Sequence, residues 1–148
     1  ATQGVVNSSS GGNYGFSGRT MTNSQVRAMR WNNTISAGAI DTAPKVETVE
    51  AMQILDRDPV LGGKILAFTS VNRGTYTHDN GYKFDVQLNT GADIEAYASA
   101  RQRSIDILTR AGYKVKVLAE HRTWGNTGRD GFISGGNHHL DIQILGKR

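Results

Sequence analysis

Two segments of this chain, Tyr82-Lys83-Phe84-Asp85-Val86-Gln87-Leu88 and His138-His139-Leu140-Asp141-Ile142-Gln143-Ile144, share a pattern of apolar, Asp, apolar, Gln, apolar. Side chains alternate faces along a strand, so each segment must carry one apolar and one polar face. Tyr82, Phe84, Val86 and Leu88 then point into a core, as do Leu140, Ile142 and Ile144. Lys83, Asp85 and Gln87 point the other way, and so do His139, Asp141 and Gln143. The same parity separates the adjacent histidines, placing His139 on the polar face and His138 on the apolar one. Two half-solvated strands whose Asp and Gln residues serve only solubility would show this alternation too.

The rest of the chain supplies helices to cover the apolar face. Thr22 or Ser24 caps a short helix carrying Val26 and Met29, and Trp31 packs where it ends. Pro44 sits at an initial helical position, and Val46, Val49, Met52 and Leu55 recur at threes down to Asp56. Lys64 to Ser70 reads as a strand leading into an irregular segment, Val71 to Asn80, and Asn80-Gly81 marks a turn. Asp93 to Ala111 is the longest helix, stopped by Gly112, and Tyr113 to Leu118 is a further strand. Glu120 to Gly136 holds five glycines and no periodicity, and reads as a long loop of the kind that carries function. The last strand runs from His138 to Leu145. Three or four strands with two principal helices predict an α+β fold, a small antiparallel sheet packed against helices.

A chain of 148 residues encloses one core without staples, so a single domain is expected over 21–148. The Gly-, Ser- and Asn-rich residues 1–20 read as a flexible or surface-wrapped arm. There is no cysteine, which excludes a thiol nucleophile and leaves His, Asp and Glu to hold any metal. No apolar run approaches the length of a membrane span, so a soluble domain is expected. The net charge is +4, with 9 basic and 4 acidic residues in 99–148. That surplus suits an acidic polymer such as a cell wall. It lacks the phosphate loop or aromatic interleaving of a nucleic-acid binder, so DNA or RNA is not the expected partner. An Ala1 start without Met implies processing.

His78 lies seven residues before Asp85 with the Asn80-Gly81 turn between them, so its imidazole can return over the start of the Asp85 strand. Together with His139 it makes a set of two nitrogens and one carboxylate. Such a set leaves a fourth tetrahedral position for water, as in catalytic zinc sites. A carboxylate is still needed to move the proton from that water to the leaving amine. Lys83, on the same side as Asp85, places a competing positive charge there.

With those residues in place the chain resembles the zinc D-Ala-D-Ala carboxypeptidase and L-alanyl-D-glutamate endopeptidase family, which includes phage endolysins. The family motif Ser-x-His-x-x-Gly-x-Ala-x-Asp is similar to Tyr76-Thr77-His78-Asp79-Asn80-Gly81-Tyr82-Lys83-Phe84-Asp85, with Tyr76 for Ser and Lys83 for Ala. The resemblance implies zinc ligation by His78, Asp85 and His139, the last within Gly135-Gly136-Asn137-His138-His139-Leu140-Asp141. Phe68-Thr69-Ser70-Val71-Asn72-Arg73 looks like the stretch whose Arg holds a substrate carboxylate, which gives Arg73 that role. Where family members carry Asp or Glu three residues before the last histidine, this chain has Gly136. Glu120, Asp130 and Asp141 are therefore the candidate general bases.

The resemblance covers about 65–144. It implies a hedgehog/D-Ala-D-Ala-peptidase-like fold and a peptidoglycan peptide as substrate. It also implies action at the bacterial cell wall, from a secreted, periplasmic or phage-associated protein. Tyr76, His121 and Trp124 are candidate substrate-binding residues; packing, loop anchoring or solvent exposure are their plainer roles. A catalytically silent wall-binding or virion module and a metal-dependent nuclease using His121, Arg122 and Arg129 are the competing readings.

Overall fold

The computed structural model describes residues 15–72 and 82–148. Its elements follow the order α1 (Asn23–Ala28), β1 (Thr34–Ile35), α2 (Val46–Arg57), β2 (Ile65–Val71), β3 (Lys83–Leu88), α3 (Ile94–Arg110), β4 (Tyr113–Glu120), β5 (Phe132–Ile133) and β6 (His139–Lys147). The six strands form one sheet in the order β1-β2-β3-β6-β4-β5. The four central strands pair antiparallel, while β1 on β2 and β4 on β5 are parallel. The architecture is thus a small α+β domain with helices against a mixed sheet, and the expected all-antiparallel sheet is corrected. The difference lies in two strands of two residues each, added at the edges by loops that cross back along their neighbours.

Local chemistry accounts for the helix boundaries. Thr22 and Gln25 form a reciprocal capping box on α1. Asp93 accepts from the backbone N–H groups of Glu95 and Ala96 at the start of α3, a cap whose loss costs about 1 kcal/mol. On α2 the cap is Lys45, so Pro44 precedes the helix by two residues instead of opening it. The threefold recurrence on α2 does its expected work: Val49, Met52 and Leu55 are buried. Asp56, also buried, accepts from both backbone N–H groups of Asn32 and Asn33, which fixes the approach to β1.

The parity of the two matching strands holds. Phe84, Val86 and Leu88 and their counterparts Leu140, Ile142 and Ile144 are all 2% exposed or less. Tyr97 of α3 is buried on this side and accepts the Leu88 N–H at its hydroxyl, 2.9 Å away. Residues 15–20 lie against the domain: Phe16 stacks on Tyr82 at 4.1 Å, and Ser17 N–H donates to Glu47. No described helix is long and apolar enough to cross a membrane.

Candidate metal centre on the open face of the sheet

Strand pairing brings the site together. In the β3–β6 ladder Asp85 stands opposite Asp141 and Lys83 opposite Gln143. In the β4–β6 ladder Glu120 stands opposite His139. Alternation puts all of these side chains on the sheet face that the helices leave uncovered. His139 is the centre of the group, its Nε2 lying 3.8 Å from Asp85 Oδ2 and 3.6 Å from Glu120 Oε2. Lys83 closes the other side, its Nζ 3.6 Å from Asp85 Oδ1 and 3.5 Å from Asp141 Oδ2.

Hydrogen bonding fixes which imidazole nitrogen faces the carboxylates. His139 Nδ1 lies 2.6 Å from the Asn137 carbonyl, which can only accept, so Nδ1 carries the hydrogen. Nε2 is therefore the nitrogen that faces Asp85 and Glu120, and a metal there would have to replace the proton it carries in the charged ring. His138 is in the opposite condition. Its Nδ1 lies 2.6 Å from the Tyr97 hydroxyl, whose oxygen already accepts from Leu88 N–H. The other ring nitrogen, Nε2, lies 3.4 Å from the Gln87 side-chain amide nitrogen, so protein groups engage both nitrogens of this ring. Two neighbouring residues of one type are thus sorted into a structural ring and a ligand-like one.

The charges of the cluster are interlocked. Burial pushes the Asp85 carboxyl up, partly offset by Lys83 and His139. Asp85 Oδ1 is buried without a hydrogen bond, since 3.6 Å to Lys83 is an ion pair and too long for one. Asp141 is pushed up to about 7 by burial and by its hydrogen bond with Glu120. Glu120 stays below its usual range because the neighbouring His139, Asp141 and Lys83 outweigh its burial. His139 rises to about 9 against its own burial, held by Glu120, Asp85 and the Asn137 carbonyl. Burial and the nearby His121 and His139 lower His138, keeping it neutral.

Of the candidate metal ligands, Asp85 and His139 come together, and His78 lies outside the described residues, as do Arg73 and Tyr76. Among the described residues no three His, Asp or Glu side chains form a metal-holding group by themselves. The donor types of the pair are those zinc takes, one imidazole nitrogen and one carboxylate oxygen, Asp85 Oδ2, while the buried Oδ1 is turned to Lys83. Donors at the corners of a zinc tetrahedron sit roughly 3.4 Å apart, a few tenths of an ångström closer than His139 Nε2 is to Asp85.

The three candidate bases separate. Glu120 and Asp141 belong to the cluster, while Asp130 is exposed on the turn before β5. Glu120 ends β4 and brings a carboxylate to His139 from across the ladder. Gly135 leaves room for it, since a Cβ there would lie 2.7 Å from Glu120 Oε1. Trp124 is only 4% exposed and packs against Tyr97, His121 and Phe132, the surroundings of a loop anchor. His121 is part-exposed, its Nδ1 2.8 Å from Thr123 Oγ1 and its ring 6.3 Å from that of His138. Arg129 is committed to Glu95. Sequence reasoning missed the tie between Lys83 and Asp141, because the register that joins β3 to β6 is a tertiary property. Compared with known protein families, with curated proteins and with solved structures, the chain matches none.

Proposed function

We propose that the chain is a zinc-dependent hydrolase that cleaves an amide bond in peptidoglycan stem or cross-bridge peptides, on a scaffold of the hedgehog/D-Ala-D-Ala-peptidase kind. The observation that carries the reading is His139: its Nδ1–H is held by the Asn137 carbonyl while Nε2 faces Asp85 and Glu120. His78, Asp85 and His139 are the proposed ligands. When bound, zinc supplies Lewis acidity, lowering the pKa of a water and polarising the scissile carbonyl.

The chain's own residues do the rest. Glu120 takes the proton from the attacking water and returns it to the leaving amine, a role suited to a carboxylate kept ionised by its neighbours. Asp141, beside Glu120 on the same face of the sheet, helps to hold it in place. Arg73, carried over by resemblance, is the proposed partner of a peptide carboxylate, for which a guanidinium fork is well shaped. The proposed site of action is the bacterial cell wall.

The test is to measure bound zinc, then offer purified murein and short stem peptides before and after chelation. The reading expects about one zinc per chain and chelator-sensitive release of new amino groups. Glu120→Gln should keep the zinc and lose activity by about 100-fold or more, the usual size of a general-base effect. Tight murein binding with no products would favour the silent wall-binding module, a reading that the Lys83 ion pairs also suit.

A further inference from the structure

Lys83 is out of place in a cation site. Its ammonium bridges the two aspartates that face each other across the central ladder, and its side chain is 24% exposed. Asp85 is divided as a result, with Oδ1 turned to Lys83 and Oδ2 to His139. The two contacts lie on one carboxylate, so a cation arriving beside His139 meets an anion already half-neutralised.

We propose that Lys83 is a resident counter-cation that competes with a divalent metal for the Asp85 carboxylate and sets how tightly the His139 centre binds it. The inference rests on the metal-site reading above. Two effects oppose each other. A lysine paired to Oδ1 helps to aim Asp85, which favours binding, yet its charge repels the incoming ion across a partly desolvated cluster, which disfavours it. Aim is the smaller contribution, because Asp85 sits mid-strand with β2 and β6 paired on its two sides and has its backbone direction fixed by both ladders. Repulsion is the larger, because like charges at such range interact strongly wherever water is partly excluded. The site then fills when the metal is abundant enough to push the flexible lysine stem toward solvent, a movement open to lysine and closed to a short or rigid side chain.

Zinc titrations of the full chain at neutral pH, read by competition with a chromophoric chelator, test this with Lys83→Met, Lys83→Gln and Asp85→Asn. The inference expects both lysine variants to bind zinc about tenfold more tightly than the wild type, and Asp85→Asn to lose the binding. Two lysine variants with matching melting curves exclude a folding defect as the cause. Zinc binding in the lysine variants alone would also support it, in its strongest form. Equal or weaker binding in both lysine variants, with wild-type binding still dependent on Asp85, overturns the competition and leaves the metal site standing. No saturable zinc binding in any chain overturns the inference and the metal site together.

Discussion

The two faces of the sheet are built from the same strands and solve opposite problems. On the covered face Phe84, Val86, Leu140 and Ile142 are sealed beneath the helices. On the open face, one residue along in each strand, Lys83, Asp85, His139, Asp141 and Glu120 hold a half-buried set of charges whose carboxyls are shifted in both directions. Apolar burial stabilises the fold directly. Clustered charges removed from water contribute little net stability even when paired. The covered face therefore carries the fold, and on the proposed reading the open face is the one kept for a ligand.

The largest expected contrast comes from one substitution on each face. Phe84→Ala should cost about 3–5 kcal/mol in urea unfolding of the metal-free protein, whereas Asp85→Ala should stay within about 1 kcal/mol. Equal costs would make the open face structural. The neighbouring histidines sharpen the same division in zinc affinity. His139→Ala should weaken binding by more than about 100-fold, beyond the range usual for residues that only support a ligand. His138→Ala should leave affinity within about threefold and cost about 1–2 kcal/mol of stability, because the buried Tyr97 hydroxyl loses its imidazole partner.

A smaller effect is expected at Gly135, where an alanine Cβ would press on Glu120. The end of a carboxylate side chain moves easily, so Gly135→Ala should keep the fold and the zinc while lowering turnover about tenfold, a misplacement effect that kinetic assays resolve.

The smallest expected effect concerns pH. His139, raised from 6.5 to about 9, favours the fold in its protonated form, a contribution fully present below pH 6.5 and lost as pH rises through 9. Asp141, raised from 3.8 to about 7, contributes below pH 3.8 and loses that contribution as pH rises through 7. Glu120 acts in reverse, losing its contribution as pH falls below its usual range. Chelator-treated protein should accordingly melt a few degrees lower at pH 9.5 than at pH 6.5. Added zinc should reverse the trend, since metal replaces the proton on Nε2. A flat melting profile without zinc would show that His139 is not held as described.

Much of this was legible in the residues. Period-two alternation assigned both faces of β3 and β6 and split His138 from His139, because register parity is a local property. Helix α3 announced itself through its length, its Asp93 cap and Gly112. The edge strands did not, since Thr34–Ile35 and Phe132–Ile133 are too short to show alternation and owe their parallel pairing to loops from elsewhere. Nor could the sequence choose among Glu120, Asp130 and Asp141. That choice depends on β4 lying beside β6 with Glu120 opposite His139, a pairing between residues nineteen positions apart across a glycine-rich loop.

The central claim concerns one nitrogen atom. Nitrogen-15 NMR of the histidine side chains, recorded during a zinc titration, reads it directly. His139 should keep its Nδ1 hydrogen while Nε2 moves to the shift of a metal-bound nitrogen, and the His138 signals should stay unchanged. Zinc appearing on His138 or His121 instead, or saturating the protein with the His139 signals unmoved, would contradict it.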